Sequence, residues 1–424
     1  MHETVVNDHV EVRFGSVTTM TDTLERSALA ERLTTLRRDL HRRPEIGLLL
    51  PETQARLLDA LRHLPLEIST GTSLSSITAV VRGTTSRHAV LLRADMDALP
   101  VHEATDVSYA SEVPNAMHGC GHDLHAAMLV GVAELLCARR DELDGDVVLM
   151  FQPGEEGWEG AQAMLDEGVL AAAGIPVAAA YALHVFSNQP AGQIRTRSGA
   201  VLSASAELTV RVLGSGGHAS APHLARDPVP AAAEMILALQ RSAGRDVDPH
   251  DPAVVTVGVV EAGQRPNVIP ESTRFVANIR TFSAAAQDRV HYLARRALEG
   301  IAEAHGVRVE IDFVPLRPAT VNDPTETDLA LGVATELFGD RRVTRSAGPE
   351  NGSEDFSRVL AHVPGCFISL GAMPAGLNAD TAAYNHSPHA LFDDGVLVDG
   401  AALLASIAIR RLQTCTSTPI REGS

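Results

Sequence analysis

Leu29, Leu33, Leu36 and Leu40 recur at the three- and four-residue spacing that lines one face of a helix, and Pro44 ends the pattern. Residues 1–22, ahead of them, show no periodicity and read as a flexible tail. Three apolar, β-branched runs follow: AVLLRADMD (89–97), DVVLMFQP (146–153) and VAAAYALHV (177–185). The segments between them are long enough for helices. This alternation predicts an α/β unit with a mainly parallel sheet flanked by helices.

The rhythm changes between residues 202 and 316. AELTVRVLG, a helical stretch near 229–243, AVVTVGVVEAG, STRFVANIRTF, a second helical stretch near 284–305 and VRVEIDFVP succeed one another. The order β-α-β-β-α-β is that of an α+β, ferredoxin-like unit. Both flanks fit an α/β core, so 202–316 reads as a smaller domain inserted into a larger one built from 23–201 and 317–412. No internal repeat or low-complexity segment interrupts this plan.

A chain of 424 residues is too long for one ordinary core, in keeping with two or three domains. Its net charge of −18 argues against a nucleic-acid surface, which draws affinity from clustered Lys and Arg. No run of about eighteen apolar residues is available to cross a bilayer. The N-terminal stretch has neither a basic start with an apolar run nor a small-residue cleavage site, so a cytoplasmic protein is expected. Cys120, Cys137, Cys366 and Cys415 lie far apart, a usage that suits reduced thiols better than a disulfide scaffold.

Polar clusters close the sheet runs: RADMDALP after the first, QPGEEG after the second, LHVF after the third, with AYNHSPH near the end of the chain. Open α/β sheets bind ligands at their carboxyl edge, so these clusters, with the MHGCGHDLHA stretch, would bring together Cys120, His122, Glu155, Glu156, His184 and His386. Thiolate, imidazole and carboxylate together suit a borderline divalent metal such as Zn, Mn, Co or Ni. One catalytic zinc normally uses three protein ligands, whereas two ions about 3.5–4 Å apart can share five. Of Glu155 and Glu156, one can bind metal while the other moves a proton. The residues alone do not say which does which. Taken singly, a histidine is more often a surface or core residue than a ligand; the combination carries the weight. His118, His125 and His389 are read as neighbours of the site, and Cys137, Cys366 and Cys415 as inert.

HRRPEIG, LLRADMDALP, MHGCGHDLHAAML, FQPGEEG, LHV, GGHASAPH, NVIP, GSEDF and NHSPH, in this order over residues 23–412, resemble the M20 metallopeptidase superfamily. The likeness is to its branch of N-acyl-amino-acid amidohydrolases, which includes hippurate and indole-acetyl-amino-acid hydrolases. The resemblance implies a catalytic domain with an inserted lid and dimerisation domain, hence a homodimer. It places two divalent metal ions on Cys120, His122, Glu156, His184 and His386 and makes Glu155 the general base. It also implies an oxyanion-stabilising role for His218, in cis or across the dimer, and a grip on the substrate carboxylate by Asn267 and Arg280. Other M20 branches end the first strand in His-x-Asp, where this chain has Arg93-Ala94-Asp95. Asp95 is therefore expected to orient a ligand or Arg93, while Asp97 receives no firm role.

The function so implied is hydrolysis of the amide bond of N-acyl (aliphatic, aryl or arylacetyl) amino acids to a carboxylic acid and a free amino acid. Dipeptidase, carboxypeptidase-like or N-acetyl-diaminopimelate-type deacetylase activity is the alternative, since only the pocket wall separates these substrates. A nucleophilic Cys120 is the weaker alternative for the site, because a metal-bound thiolate is poorly placed to attack. A non-catalytic binding protein on the same fold fits the intact ligand set least.

Overall fold

The computed structural model describes residues 23–416, with residue 86 excepted. The flexible tail read at 1–22 lies outside the described residues.

The larger sheet has eight strands in the order Glu67–Thr70, Ile77–Val81, Asp146–Gln152, Ala89–Asp95, Val177–Pro190, Gly365–Met373, Ile194–Thr196 and Val343–Arg345. Parallel pairing joins the four central strands. Antiparallel pairing takes over on both sides, between Ile77–Val81 and its two neighbours and between Ile194–Thr196 and Gly365–Met373. The sheet is thus mixed, and the expectation of a mainly parallel sheet holds for its centre. The reason lies in burial: Ala89–Asp95 and Asp146–Gln152 are buried along their whole length, as strands covered on both faces must be. Glu67–Thr70, at the rim, is exposed throughout.

Alternation along the Ala89–Asp95 strand divides the core. Val90, Leu92 and Ala94 join a cluster with Leu33, Leu124, Leu129 and Leu404 from the helices Thr23–Arg42, His122–Ala138 and Leu397–Thr416. Ala89 and Leu91 face the other way, toward Met164 and Phe356 of the short helices Gly160–Asp166 and Phe356–Leu360. Arg93 and Asp95 share that second face's parity, which sends two charged side chains into the interior.

A second sheet, antiparallel throughout, runs in the order Ala253–Ala262, Ser272–Thr281, Ala204–Leu213, Arg308–Arg317. Helices Pro228–Arg245 and Ala284–His305 cover one face, enclosing Leu208, Val210, Met235, Phe275, Ile279 and Leu298 in a core of their own. Asp227 caps the first helix by accepting from Val229 N–H at 3.0 Å, and Ser283 caps the second by accepting from Ala286 N–H at 2.9 Å. In Ser272–Thr281, Phe275, Ala277 and Ile279 point to the helices. Arg274, Asn278 and Arg280 alternate with them on the open face.

Candidate metal centre

The six side chains expected to converge do so beside the carboxyl ends of the central strands. Asp146–Gln152 runs into the turn carrying Glu155 and Glu156, and His184 projects from Val177–Pro190. Cys120 and His122 sit where a helix begins, after Gly121 at φ 83°. A Cβ on Gly121 would lie 2.4 Å from Val185 Cγ2, so only glycine allows this helix start to approach the sheet so closely. His386 itself takes a positive φ of 73°, a costly backbone state for a histidine that points its ring at the cluster.

Ligand atoms of Cys120, His122 and His184 lie within 4.8 Å of one another, as do those of Cys120, Glu156 and His386. Cys120 belongs to both triplets. Its Sγ is 3.4 Å from His184 Nε2, and His386 Nε2 is 3.1 Å from Glu156 Oε1. His184 Nδ1 donates to Val185 O at 2.9 Å and His122 Nδ1 to Asp97 O at 2.9 Å, which leaves both Nε2 atoms turned to the cluster. His122 Nε2 is buried with no hydrogen-bond partner. A soft and hard donor set with an orphaned imidazole nitrogen fits a divalent cation.

Electrostatics agree with that fit. Burial, with His125 beside it, holds His184 well below the usual histidine range, in the neutral form a ligand needs. Hydrogen bonds to Cys120 and Glu156 push His386 up to about 10, so its surroundings favour a positive charge at the spot, proton or metal. Burial also raises Glu155 well above the carboxylate range, aided by Glu354, while Arg317 opposes the shift.

Asp95 lies between Arg93 and two histidines. Its Oδ2 accepts from Arg93 at 2.5 Å and lies 3.6 Å from His122 Nε2, and its Oδ1 meets His125 Nδ1 at 2.5 Å. His125 Nε2 then accepts the Val185 N–H at 2.8 Å, so both ring nitrogens are occupied and His125 is a neighbour of the metal cluster. Arg93 also donates to Gln152 at 2.8 Å, Glu354 at 2.8 Å and Asp355 at 3.1 Å. His118 is buried near His41, and burial drives it down to about 3. His389, exposed, bonds Ala104 O through Nδ1 at 2.9 Å. Burial pushes the Cys366 thiol up to about 12, against reactivity.

The candidate residues of the segment 202–316 divide. His218 is exposed on a two-residue ribbon, Gly217–His218 paired with Val268–Ile269, and Asn267 O accepts the Ala219 N–H at 3.1 Å. His218 and Asn267 therefore stand together. Among the described residues no hydrogen bond or ion pair joins either of them to the metal cluster. Arg280 lies elsewhere, its Nε held by Asn278 Oδ1 at 2.8 Å and its Nη1 buried without a partner. It shares a row with Ser205 and Arg317 across three strands, and Arg317 Nη1 reaches Glu155 Oε1 at 3.1 Å.

Three groups escape a sequence reading. Asp97 accepts the N–H groups of Glu155 and Glu156, each at 3.0 Å. Asn385 donates to Val185 O at 2.9 Å and Cys120 O at 3.3 Å, and accepts from Ser187 N–H at 3.0 Å, stapling three segments around His386. Arg317 is the third. For Asp97 a signal existed, since it stands two positions beyond Asp95 at a strand end; Asn385 and Arg317 meet partners too distant in sequence to be paired by pattern.

Metal-type ligands at the carboxyl edge of an α/β sheet, with a spare buried carboxylate among them, define a metal-dependent hydrolase. Residues 91–410 match the model of peptidase family M20/M25/M40, and the chain belongs to that family. It is 33% identical to thermostable carboxypeptidase 2 of Saccharolobus solfataricus, over 88% of this chain and 94% of that protein. To N-acetylcysteine deacetylase of Bacillus subtilis it is 34% identical, over 91% and 98%. Among solved structures it resembles Bacillus subtilis YXEP, described as a dinuclear metal-binding peptidase of the M20 family, with a TM-score of 0.80 and 31% identity over 92% and 99% of the two chains. No described helix is long and apolar enough to cross a membrane.

Proposed function

We propose that the protein is a dinuclear metal amidohydrolase that cleaves the amide bond of N-acyl amino acids, aliphatic, aryl or arylacetyl, to a carboxylic acid and a free amino acid. The observation that carries this is the pair of ligand triplets sharing Cys120, with Glu155 beside them. Cys120, His122, Glu156, His184 and His386 would hold two divalent ions, from among Zn, Mn, Co and Ni. Bound there, such ions polarise a carbonyl and make water acidic enough to attack at neutral pH. Glu155 takes the proton of the attacking water on its carboxylate and delivers it to the leaving amine. Its raised affinity for protons favours the uptake half of that transfer.

Residues 202–316 act as an inserted lid and dimerisation domain between 23–201 and 317–412. His218, with Asn267 at its side, stabilises the developing oxyanion. The exposure of His218, which has no hydrogen bond or ion pair to the cluster among the described residues, favours action across a homodimer's two-fold axis. Arg280, with its unpartnered Nη1, grips the α-carboxylate, a task suited to a planar guanidinium. Unpaired thiols at Cys120, Cys137 and Cys366 suit the reducing cytoplasm.

The likeness to a carboxypeptidase supports a second reading, in which the same centre acts on peptides; an N-acetyl-diaminopimelate-type substrate is the remaining alternative. Metal-reconstituted protein assayed against N-acyl amino acids, dipeptides and N-acetyl-diaminopimelate separates them. Preference for the first group is expected, and peptide turnover alone would favour the second reading. Sedimentation of the active protein as a monomer would remove the dimer.

A further inference from the structure

We propose that Arg317 is a positioning residue for Glu155, holding one carboxylate oxygen so that the other is presented to the reacting water. The inference rests on Glu155 being the general base. Its grounds are geometric. Arg317 Nη1 donates to Glu155 Oε1 at 3.1 Å, and its Nη2 donates to the main-chain carbonyl oxygen of the same residue. Asp97 holds the Glu155 N–H at 3.0 Å from the other side. Backbone and Oε1 are thereby fixed, while no hydrogen bond among the described residues reaches Oε2. The Glu155 carboxylate has an oxygen within 4.8 Å of ligand atoms of His122 and Glu156, so the unclaimed oxygen belongs to a side chain already at the metal cluster.

Simple charge neutralisation does not account for this arrangement. The acidic neighbours Glu354 and Asp355 are paired with Arg93, at 2.8 Å and 3.1 Å. Arg317 pairs with Glu159 only at 3.7 Å through Nε, and it spends Nη2 on a neutral carbonyl of residue 155. That two-point grip fixes orientation as well as charge, which a planar fork can do and a point charge cannot.

The anchor behind the guanidinium is equally specific. Arg317 is the last residue of the strand Arg308–Arg317, where the chain leaves the smaller sheet. Arg358 donates to the carbonyl of Leu316 at 2.8 Å and pairs with Glu159, whose other oxygen is 3.7 Å from Arg317 Nε. The end of that strand and the turn carrying Glu155 are thus tied together by two arginines, so the placement of the smaller sheet sets the placement of the base.

The test uses the full-length, metal-loaded protein and an N-acyl amino acid that the wild type hydrolyses, with variants Arg317→Ala, Arg317→Lys, Glu155→Gln and the double variant Glu155→Gln/Arg317→Ala. Arg317→Ala is expected to lower kcat by about 100-fold, the scale of a small misplacement of a reacting group, with KM and metal content near wild type. Arg317→Lys should recover part of the loss. The double variant should be no slower than Glu155→Gln alone, because a residue acting only through Glu155 has nothing left to position. Additive losses in the double variant, unchanged kcat in Arg317→Ala, or a loss confined to KM would each overturn the inference. Should Arg317→Ala fail to fold, Arg317→Lys measured in wild-type and Glu155→Gln backgrounds gives the same comparison. If Glu155→Gln keeps wild-type kcat, it is the assignment of the base that fails.

Discussion

One carboxylate oxygen of Asp97 accepts the backbone N–H of Glu155 at 3.0 Å, and its other oxygen does the same for the next residue. A single side chain at the end of one central strand thus shapes the turn after its neighbour. Asp97→Asn keeps one acceptor but presents an NH2 group to the second N–H, donor against donor. We expect about 1–3 kcal/mol of lost stability from the buried, unmatched group, together with weaker metal retention as Glu156 shifts. Thermal unfolding of the metal-free protein and a metal titration read the two effects separately. Unchanged values in both would mean that the turn holds its shape without Asp97.

The adjacent carboxylates of Glu155 and Glu156 are predicted to separate by function. Glu155→Gln should retain both metal ions while kcat falls roughly 100- to 10,000-fold, the usual loss when a general acid–base is removed. Glu156→Ala should lose metal, since Glu156 Oε1 sits 3.1 Å from His386 in the second ligand triplet. Elemental analysis of the two purified variants decides the matter. Equal metal loss in both would reverse or dissolve the division of labour.

How far these assignments could be read in advance depends on what each residue contributes. The convergence of Cys120, His122, Glu155, Glu156, His184 and His386 was legible because metal chemistry restricts residue type and sheet topology brings strand ends together. The β-α-β-β-α-β order was legible from alternation in long strands such as Ser272–Thr281. The antiparallel flanks of the large sheet were not: Glu67–Thr70, Ile194–Thr196 and Val343–Arg345 are too short to show a period. Arg317 stands 162 positions from Glu155, and nothing in its own neighbourhood distinguishes it from a surface charge at a strand end.

His41 makes a prediction about pH. It is buried between Asp123, at 2.7 Å from Nδ1, and Glu103, at 3.3 Å from Nε2, with Arg37 opposing its charge. Burial works against the imidazolium, but the two carboxylates prevail and raise its affinity for protons above the ordinary 6.5. A histidine whose folded value is raised binds more proton when folded, so its contribution to stability is complete below the unfolded value. It is lost as pH rises through the folded one. The stability gap between wild type and His41→Gln, measured by denaturant unfolding of metal-free protein, should therefore narrow as pH is raised from about 6 to about 9. A gap that stays constant would mean that His41 does not carry the charge that balances Asp123.

Recognition of the substrate's carboxylate by Arg280 is a proposal that the structure allows to be tested sharply. Asn278 Oδ1 holds Arg280 Nε at 2.8 Å, which aims the fork, while Nη1 is buried with no partner of its own. The cost of keeping that donor unsatisfied is recovered when a carboxylate arrives, so loss of the guanidinium should hurt free-acid substrates selectively. Arg280→Ala is expected to lose about 2–5 kcal/mol in kcat/KM for an N-acyl amino acid, the usual effect of truncating one partner of a desolvated charge pair. The amide-capped analogue of the same compound should change little. Arg280→Lys should restore only part of the loss, because it keeps the charge but not the planar pair of donors. Comparing kcat/KM for both forms of one substrate in the wild type and the two variants provides the measurement. Equal losses for the acid and the amide would assign Arg280 to the packing of the smaller sheet, leaving the carboxylate to be read elsewhere.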